Sequence, residues 1–239
     1  MISKCKKLLG ILKKTFYIRA LQKGAAAGVE HENVLMNLEK CCHIVDVGAN
    51  RGQFALVSRY CFPNARIDSF EPLLEPADIY REVFVGDNNV ELHPYAIGEE
   101  KGEIEIHISN RDDSSSLLPI AEMQTELFPG TEEKETRTIN VIPLEAILSE
   151  DKIITPALLK LDVQGFELSA LKGCATLLQK FNNVYVECSF VELYAGQSFA
   201  DEVISFLSAH KFRFVGVYNM CYDKSGKAIQ ADFLFERNE

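Results

Sequence analysis

Ile44-Val45-Asp46-Val47-Gly48-Ala49-Asn50-Arg51-Gly52 is the stretch from which the rest of the chain can be read. An apolar run ends in an acid and a glycine-bearing turn, and a helix-like segment begins at Gln53. A buried parallel strand hands over to a helix in this way, with the helix N-terminus turned to a ligand. Gly48 is expected to make the tight turn, and Gly52 to let the helix approach that ligand closely. In an open sheet such a turn lies at the carboxyl edge, where nucleotide-like cofactors bind.

Around this stretch the pattern alternates strand and helix. Ala65 to Phe70 reads as a second strand ending in Glu71-Pro72, and Val90 to His93 as a third. Ala157 to Leu161, followed by Asp162, is a fourth, and Val184 to Val186, followed by Glu187, a fifth. Between them, Gly102 to Ile108 and Thr138 to Ile142 alternate polar and apolar residues, as half-exposed antiparallel strands do. They are expected to pair and bracket a long polar loop over 109–134, read as a lid or partly disordered. Arg213 to Tyr218 and Ala231 to Glu236 read as a closing hairpin. The predicted class is therefore α/β: a mostly parallel, Rossmann-like seven-stranded sheet with an antiparallel C-terminal hairpin. Two segments are expected, residues 1–28 as a basic amphipathic helix and joint, and 29–239 as the main domain with an insertion at about 102–142.

The chain has 239 residues, 47% apolar and 25% charged, which suits one α/β domain. Its seven cysteines show no C-x-x-C spacing, against zinc and disulfide frameworks and for a reducing, cytoplasmic setting. The net charge of −10 argues against a nucleic-acid groove. The start runs the other way: no acid precedes Glu30, while Lys4, Lys6, Lys7, Lys13, Lys14, Arg19 and Lys23 are basic. Ile2, Cys5, Leu9, Leu12 and Phe16 recur at helical spacing, predicting one amphipathic helix over 1–23. Either it lies on an anionic membrane face, which would be the inner one, or it packs on the domain or on a second subunit, the reading slightly preferred. Oligomeric state is not legible.

Asp46 at the strand end suits a ligand bearing an ammonium and a sulfonium better than one bearing a pyrophosphate. Asn50 occupies the middle position of what would otherwise be G-x-G-x-x-G. Glu71, at the end of the second strand, is placed to accept hydrogen bonds from ribose hydroxyls. Asp162 emerges at the carboxyl edge, where it could orient a methyl donor or accept a substrate proton. Glu167 favours the N-terminus of the following helix. His93, His43 and His107 are candidate bases, and His93 lies nearest the edge. With no helix-spaced histidine pair and no Asp-x-Asp loop, no metal site is predicted, although carboxylates from several strand ends could still gather an ion.

These motifs, with Phe70-Glu71-Pro72, Ala96-Ile97-Gly98, Lys160-x-Asp162-Val163-x-Gly165-x-Glu167-x-x-x-Leu171-x-Gly173 and Val186-Glu187, resemble the motif series of the FkbM-type methyltransferases over about residues 43–237. The resemblance implies a class I methyltransferase fold and S-adenosylmethionine as donor. It also implies O-methylation of a small-molecule, sugar/glycan or natural-product acceptor. It adds Ala96 and Ser115, the latter from the serine run Ser114-Ser115-Ser116, to Asp46, Gly48, Asn50, Gly52 and Glu71 as expected cofactor contacts. Asp162 and His93 are the expected catalytic pair. Gln164 departs from the Glu common in the family, which puts a catalytic role there in doubt. Two alternatives stand beside this reading. One is a nicotinamide-dependent oxidoreductase, and the other a non-catalytic, membrane-associated module on a degenerate methyltransferase fold.

Overall fold

The computed structural model describes residues 4–238, with side chains from Lys7 onward, so the expectation for Ile2 lies outside the described residues and that for Cys5 outside the described side chains. Two helices, α1 (Lys4–Leu12) and α2 (Thr15–Gln22), stand where one was expected. The break has a cause. Lys14 turns to extended backbone, φ −131°, and its ammonium pairs with Glu32 and sits 3.5 Å from the Tyr60 ring centroid. Ile11, Tyr17, Ala20, Ala25 and Ala27 are buried in the same apolar cluster as Phe54 to Val57, so this segment packs on the domain.

After α3 (Glu32–Met36) come β1 (His43–Val47), α4 (Gln53–Cys61), β2 (Arg66–Phe70), α5 (Leu74–Val83) and β3 (Val90–His93). β4 (Ala96–Ile97), β5 (Gly102–Ser109), α6 (Glu122–Leu127) and β6 (Glu133–Ile142) follow. The chain then runs through β7 (Ala157–Leu161), α7 (Glu167–Gly173), β8 (Asn183–Ser189), α8 (Ala200–Ala209), β9 (Phe212–Tyr222) and β10 (Ala228–Arg237). The main sheet has the order β3-β2-β1-β7-β8-β10-β9, parallel except for β10, which runs antiparallel to both neighbours. This is the predicted sheet. β1 is buried along its whole length, with Ile44 in the cluster on one face and Val45 and Val47 in the cluster on the other. Burial on both faces is why a parallel central strand reads as a near-continuous apolar run.

β5 and β6 pair as expected, but β4 adds to β6 in parallel and makes a separate three-stranded sheet. Two motif glycines explain how this sheet docks. A Cβ on Gly173 would lie 2.2 Å from the Gly98 carbonyl oxygen, so the start of the insertion packs backbone to backbone on the end of α7. The 109–134 segment is an ordered wall: it carries α6, and His107 and Ser116 exchange backbone hydrogen bonds at its base.

Candidate active site

The sheet register sets the site. Asp46 lies beside Lys160, Lys160 beside Tyr185, and Glu187 beside Asp232. Residues two apart on a strand share a face. One face of four neighbouring strands therefore carries a polar band of Asp46, Lys160, Tyr185, Glu187 and Asp232, which Asp162 extends at the edge. Lys160 is its centre. Its Nζ lies 3.0 Å from Asp46 Oδ1 and 4.0 Å from Asp162 Oδ2, and it donates to the Gly48 carbonyl at 3.0 Å. Burial works against this ammonium, but the carboxylates of Asp46 and Asp162 more than offset it and hold its pKa above the usual lysine value.

Gly48 needs to be glycine twice over. Its φ is +77°, and a Cβ would lie 1.9 Å from the Asp162 carbonyl oxygen. Asn50, at φ +46°, takes the left-handed turn that Asn tolerates. Its N–H donates to Glu71 Oε2 at 2.9 Å, and the Leu73 N–H donates to Glu71 Oε1 at 2.8 Å. Burial nevertheless pushes the Glu71 carboxyl up to about 7. Each oxygen retains a lone pair, so the carboxylate is held in place and still able to accept two hydroxyl donors.

At the other end of the band, Gln164 ties two acids together. Its Nε2 donates to Asp162 Oδ1 at 2.7 Å and to Glu187 Oε2 at 3.0 Å, while its Oε1 accepts from the Tyr194 hydroxyl at 2.7 Å. A glutamate could not donate in this way, so the departure from the family pattern has a structural use. Burial, then the charges of Asp162 and Asp232, push the Glu187 carboxyl well above the usual range. Glu167 accepts from the N–H groups of Val163 and Gly165 at 3.0 and 3.1 Å, a capping role that fixes the turn.

These elements enclose a cleft of about 360 Å³, within the size range of small-molecule sites. Gly48, Asn50, Glu71, Ala96, Ser115 and Asp162 all line it. Asp46, Gly52 and His93 do not. Asp46 is fully buried beneath the turn behind Lys160, so it braces the loop where a ligand contact was expected. Gly52 has φ +87° and no room for a Cβ because Phe84 would lie 2.7 Å away; its need is helix packing rather than approach to a ligand. His93 is stacked on Phe70 with ring centroids 4.7 Å apart, and its Nε2 binds Asp68 Oδ1 at 2.9 Å.

Asp68 explains the other histidine at this end. His43 Nε2 binds its second oxygen at 2.7 Å, and Arg66 reaches both. Burial opposes the Asp68 charge, but hydrogen bonds from His43, His93 and Arg66 hold its carboxyl below the usual range. Ligand atoms of Asp68, Glu91 and His93 lie within 4.8 Å of one another. The Arg66 guanidinium bridges Asp68 and Glu91 and already answers their charge. His107 pairs with Glu133 on the small sheet.

Sequence reasoning did not single out Lys160, Gln230 or Tyr194 for the site, gave Glu187 no role, and passed over His31. Strand parity was the available signal, because Lys160 lies two residues before Asp162 and must share its face.

The cleft fits S-adenosylmethionine. Glu71 offers acceptors for a diol at one end, the bare backbone at Gly48 admits a close ligand, and the Asp162 carboxylate, tied through Gln164 to Glu187, stands ready for a cationic group. Rossmann-like sheet and acid-lined cleft together point to an S-adenosylmethionine-dependent methyltransferase. The chain belongs to the FkbM family of these enzymes, and its residues 46–214 match the methyltransferase FkbM domain. It is 29% identical over 193 residues to the 2-O-methyltransferase NoeI of Sinorhizobium fredii, covering 76% of this chain and 77% of NoeI. It is 29% identical over 152 residues to the hexuronic acid methyltransferase AglP of Haloferax volcanii, covering 59% of this chain but only 54% of AglP. The precorrin-6y C5,15-methyltransferase of Geobacter metallireducens superposes with a TM-score of 0.50 at 11% identity, over 88% of both chains. A structure assigned as an O-methyltransferase from Klebsiella pneumoniae superposes with a TM-score of 0.52 at 12% identity, over 95% and 91%. These two likenesses carry the fold alone. The comparisons lend no support to the nicotinamide reading or to a non-catalytic module.

Proposed function

We propose that this methyltransferase acts on a hydroxyl oxygen of a sugar or glycan. The carrying observation is a single cleft that joins a ribose-type acid, Glu71, to a pair of acids, Asp162 and Glu187, across a glycine turn. The names of the two sugar-related sequence relatives support the acceptor class.

In this reading Glu71 accepts from both ribose hydroxyls, and Gly48, Asn50, Ala96 and Ser115 line the donor's bed. Asp162, half-exposed at the sheet edge, takes the donor's ammonium. When bound, S-adenosylmethionine supplies an electrophilic methyl group on sulfur. The chain's own part is to align an acceptor oxygen with that carbon and to exclude water. Tyr95, Phe128 and Phe166 give the cleft apolar walls, and the segment from Arg111 to Leu117 closes one side. Asp46 and Lys160 hold the turn rigid from below.

The test is transfer from tritiated S-adenosylmethionine to methyl glycosides of neutral hexoses, 6-deoxyhexoses and a hexuronic acid. Label in at least one glycoside is expected. Full donor binding with no transfer to any of them contradicts the acceptor class.

A second reading concerns location. Leu8, Leu9, Leu12, Phe16 and Leu21 are exposed among the basic residues in and around α1 and α2, which supports peripheral contact with an anionic membrane face. Among the described residues no helix is long and apolar enough to cross a membrane. Pelleting with anionic vesicles, lost on removing residues 1–23, is the expected outcome; equal pelleting of both forms rejects it.

A further inference from the structure

We infer that His31 is the proton acceptor of the reaction, that Asp232 and Tyr185 position it, and that the oxygen it serves is a neutral hydroxyl rather than a carboxylate. The inference rests on the sugar-hydroxyl reading above and adds to it the proton acceptor and its positioning.

Both His31 and Asp232 lie outside the family-matched segment. His31 ends a short 3₁₀ turn (Val29–His31) before α3, and its ring lines the cleft. Its Nδ1 lies 3.0 Å from the Tyr185 hydroxyl oxygen and 3.5 Å from Asp232 Oδ2. The Tyr185 hydroxyl donates to Asp232 Oδ2 at 2.9 Å, and Asn219 Nδ2 donates to the same oxygen at 2.8 Å. Asn219 Nδ2 also lies 3.3 Å from Nδ1 and from the Tyr185 hydroxyl, but its short contact is the one to Asp232. With the Tyr185 proton on Asp232, the closer pairing left to Nδ1 is as donor to the Tyr185 oxygen. This assigns the tautomer with its lone pair on Nε2, which has no protein partner among the described residues. Phe54 packs edge-on against the ring at 5.3 Å and fixes its plane. An imidazole with a free Nε2 in a cleft and a carboxylate behind Nδ1 is the arrangement a general base requires.

In the step itself the acceptor oxygen forms its bond to the methyl carbon as the carbon–sulfur bond breaks. The electron pair of that bond returns to sulfur, and the hydroxyl proton passes to Nε2. The resulting imidazolium faces the Asp232 carboxylate through Nδ1.

A carboxylate oxygen would need no such base, and the cleft is poorly made for one. Its cationic side chains among the described residues, Lys7, Arg111 and Lys160, are already paired with Glu30, Asp113 and Asp46.

Nitrogen-15 NMR of the intact protein, with His31→Gln to assign the resonance, reads the positioning directly. The neutral His31 ring is expected to show the tautomer protonated at Nδ1, and to lose that preference in Asp232→Asn and in Tyr185→Phe. A ring tautomer unchanged in both variants overturns the positioning. With the tritiated glycosides, His31→Gln is expected to lower kcat about 100-fold or more while S-adenosylhomocysteine affinity holds within about threefold. The product is expected to be an alkali-stable ether, even on the hexuronic acid glycoside. Undiminished kcat in His31→Gln overturns the proton-acceptor assignment alone; an alkali-labile ester overturns the hydroxyl assignment; label in none of the glycosides overturns the sugar reading beneath both.

Discussion

Lys160 Nζ spans the 3.0 Å to Asp46 Oδ1 and, on its other side, donates to the Gly48 carbonyl at 3.0 Å, so one buried ammonium ties the central strand to the turn that follows it. Both side chains are almost wholly shielded from water. Their mutual attraction and the carbonyl offset only part of the cost of desolvating two ions: burial still raises the Asp46 carboxyl above its usual range, although Lys160 pulls the other way. The pair therefore serves to fix the loop's geometry as much as to stabilise the fold.

Removing one partner strands the other. Lys160→Met is expected to lower unfolding free energy by about 3–5 kcal/mol in urea denaturation, because Asp46 is left buried without its partner and must either bear an uncompensated charge or take up a proton. The double variant Asp46→Asn/Lys160→Met should recover much of that loss. If the double variant is as unstable as the sum of both singles, the pairing account fails.

Glu71 gives a pH dependence whose sign can be worked out. Its carboxyl is raised from the ordinary 4.5 to about 7 in the folded chain. Between those values the folded state binds more protons than the unfolded state, so stability falls as pH rises. The full shift corresponds to about 3 kcal/mol. Glu71→Gln is expected to reduce this slope between pH 4.5 and 7 in denaturation of the ligand-free protein, leaving the part due to Glu167, whose carboxyl burial also raises to about 7. Binding of S-adenosylhomocysteine should run the other way, tightening as Glu71 ionises through pH 7, with the dependence lost in Glu71→Gln. A wild-type binding curve flat across that range would exclude Glu71 from the ribose.

Glycine packing separates fold from site. Gly173→Ala is expected to cost about 2–3 kcal/mol, since the new methyl meets the Gly98 carbonyl oxygen at 2.2 Å. Gly102→Ala meets nothing within 4 Å and should be close to neutral. Gly48→Ala should lose donor binding as well as stability, because the Asp162 backbone must retreat to admit it. Thermal melts with and without S-adenosylhomocysteine read both effects.

Much of the fold was legible because parallel strands buried on both faces announce themselves as short apolar runs. β1, β2, β7 and the final hairpin all appear near their expected places. β4 was not legible, since two residues carry no periodicity and its partner β6 lies beyond the whole insertion. The break between α1 and α2 was hidden because Lys13-Lys14 suits a helix surface, and only Glu32 and Tyr60 give Lys14 a reason to leave it. At the site, strand-end acids were found, but their direction was not. Asp46 faces an internal lysine that reads as a mere interruption of Leu158-Leu159-Lys160-Leu161. His31 and Asp232 sit at opposite ends of the chain, and only the docking of the N-terminal segment beside β10 brings them together.

The central claim is that this cleft holds an adenosyl sulfonium donor between Glu71 and Asp162. Isothermal calorimetry of the intact protein with S-adenosylhomocysteine and, separately, with NAD tests it most directly. The account predicts one-to-one binding of S-adenosylhomocysteine, at least tenfold weaker in Glu71→Ala, and no measurable heat with NAD. Saturable binding of NAD with none of S-adenosylhomocysteine, or S-adenosylhomocysteine binding indifferent to Glu71→Ala, would contradict it.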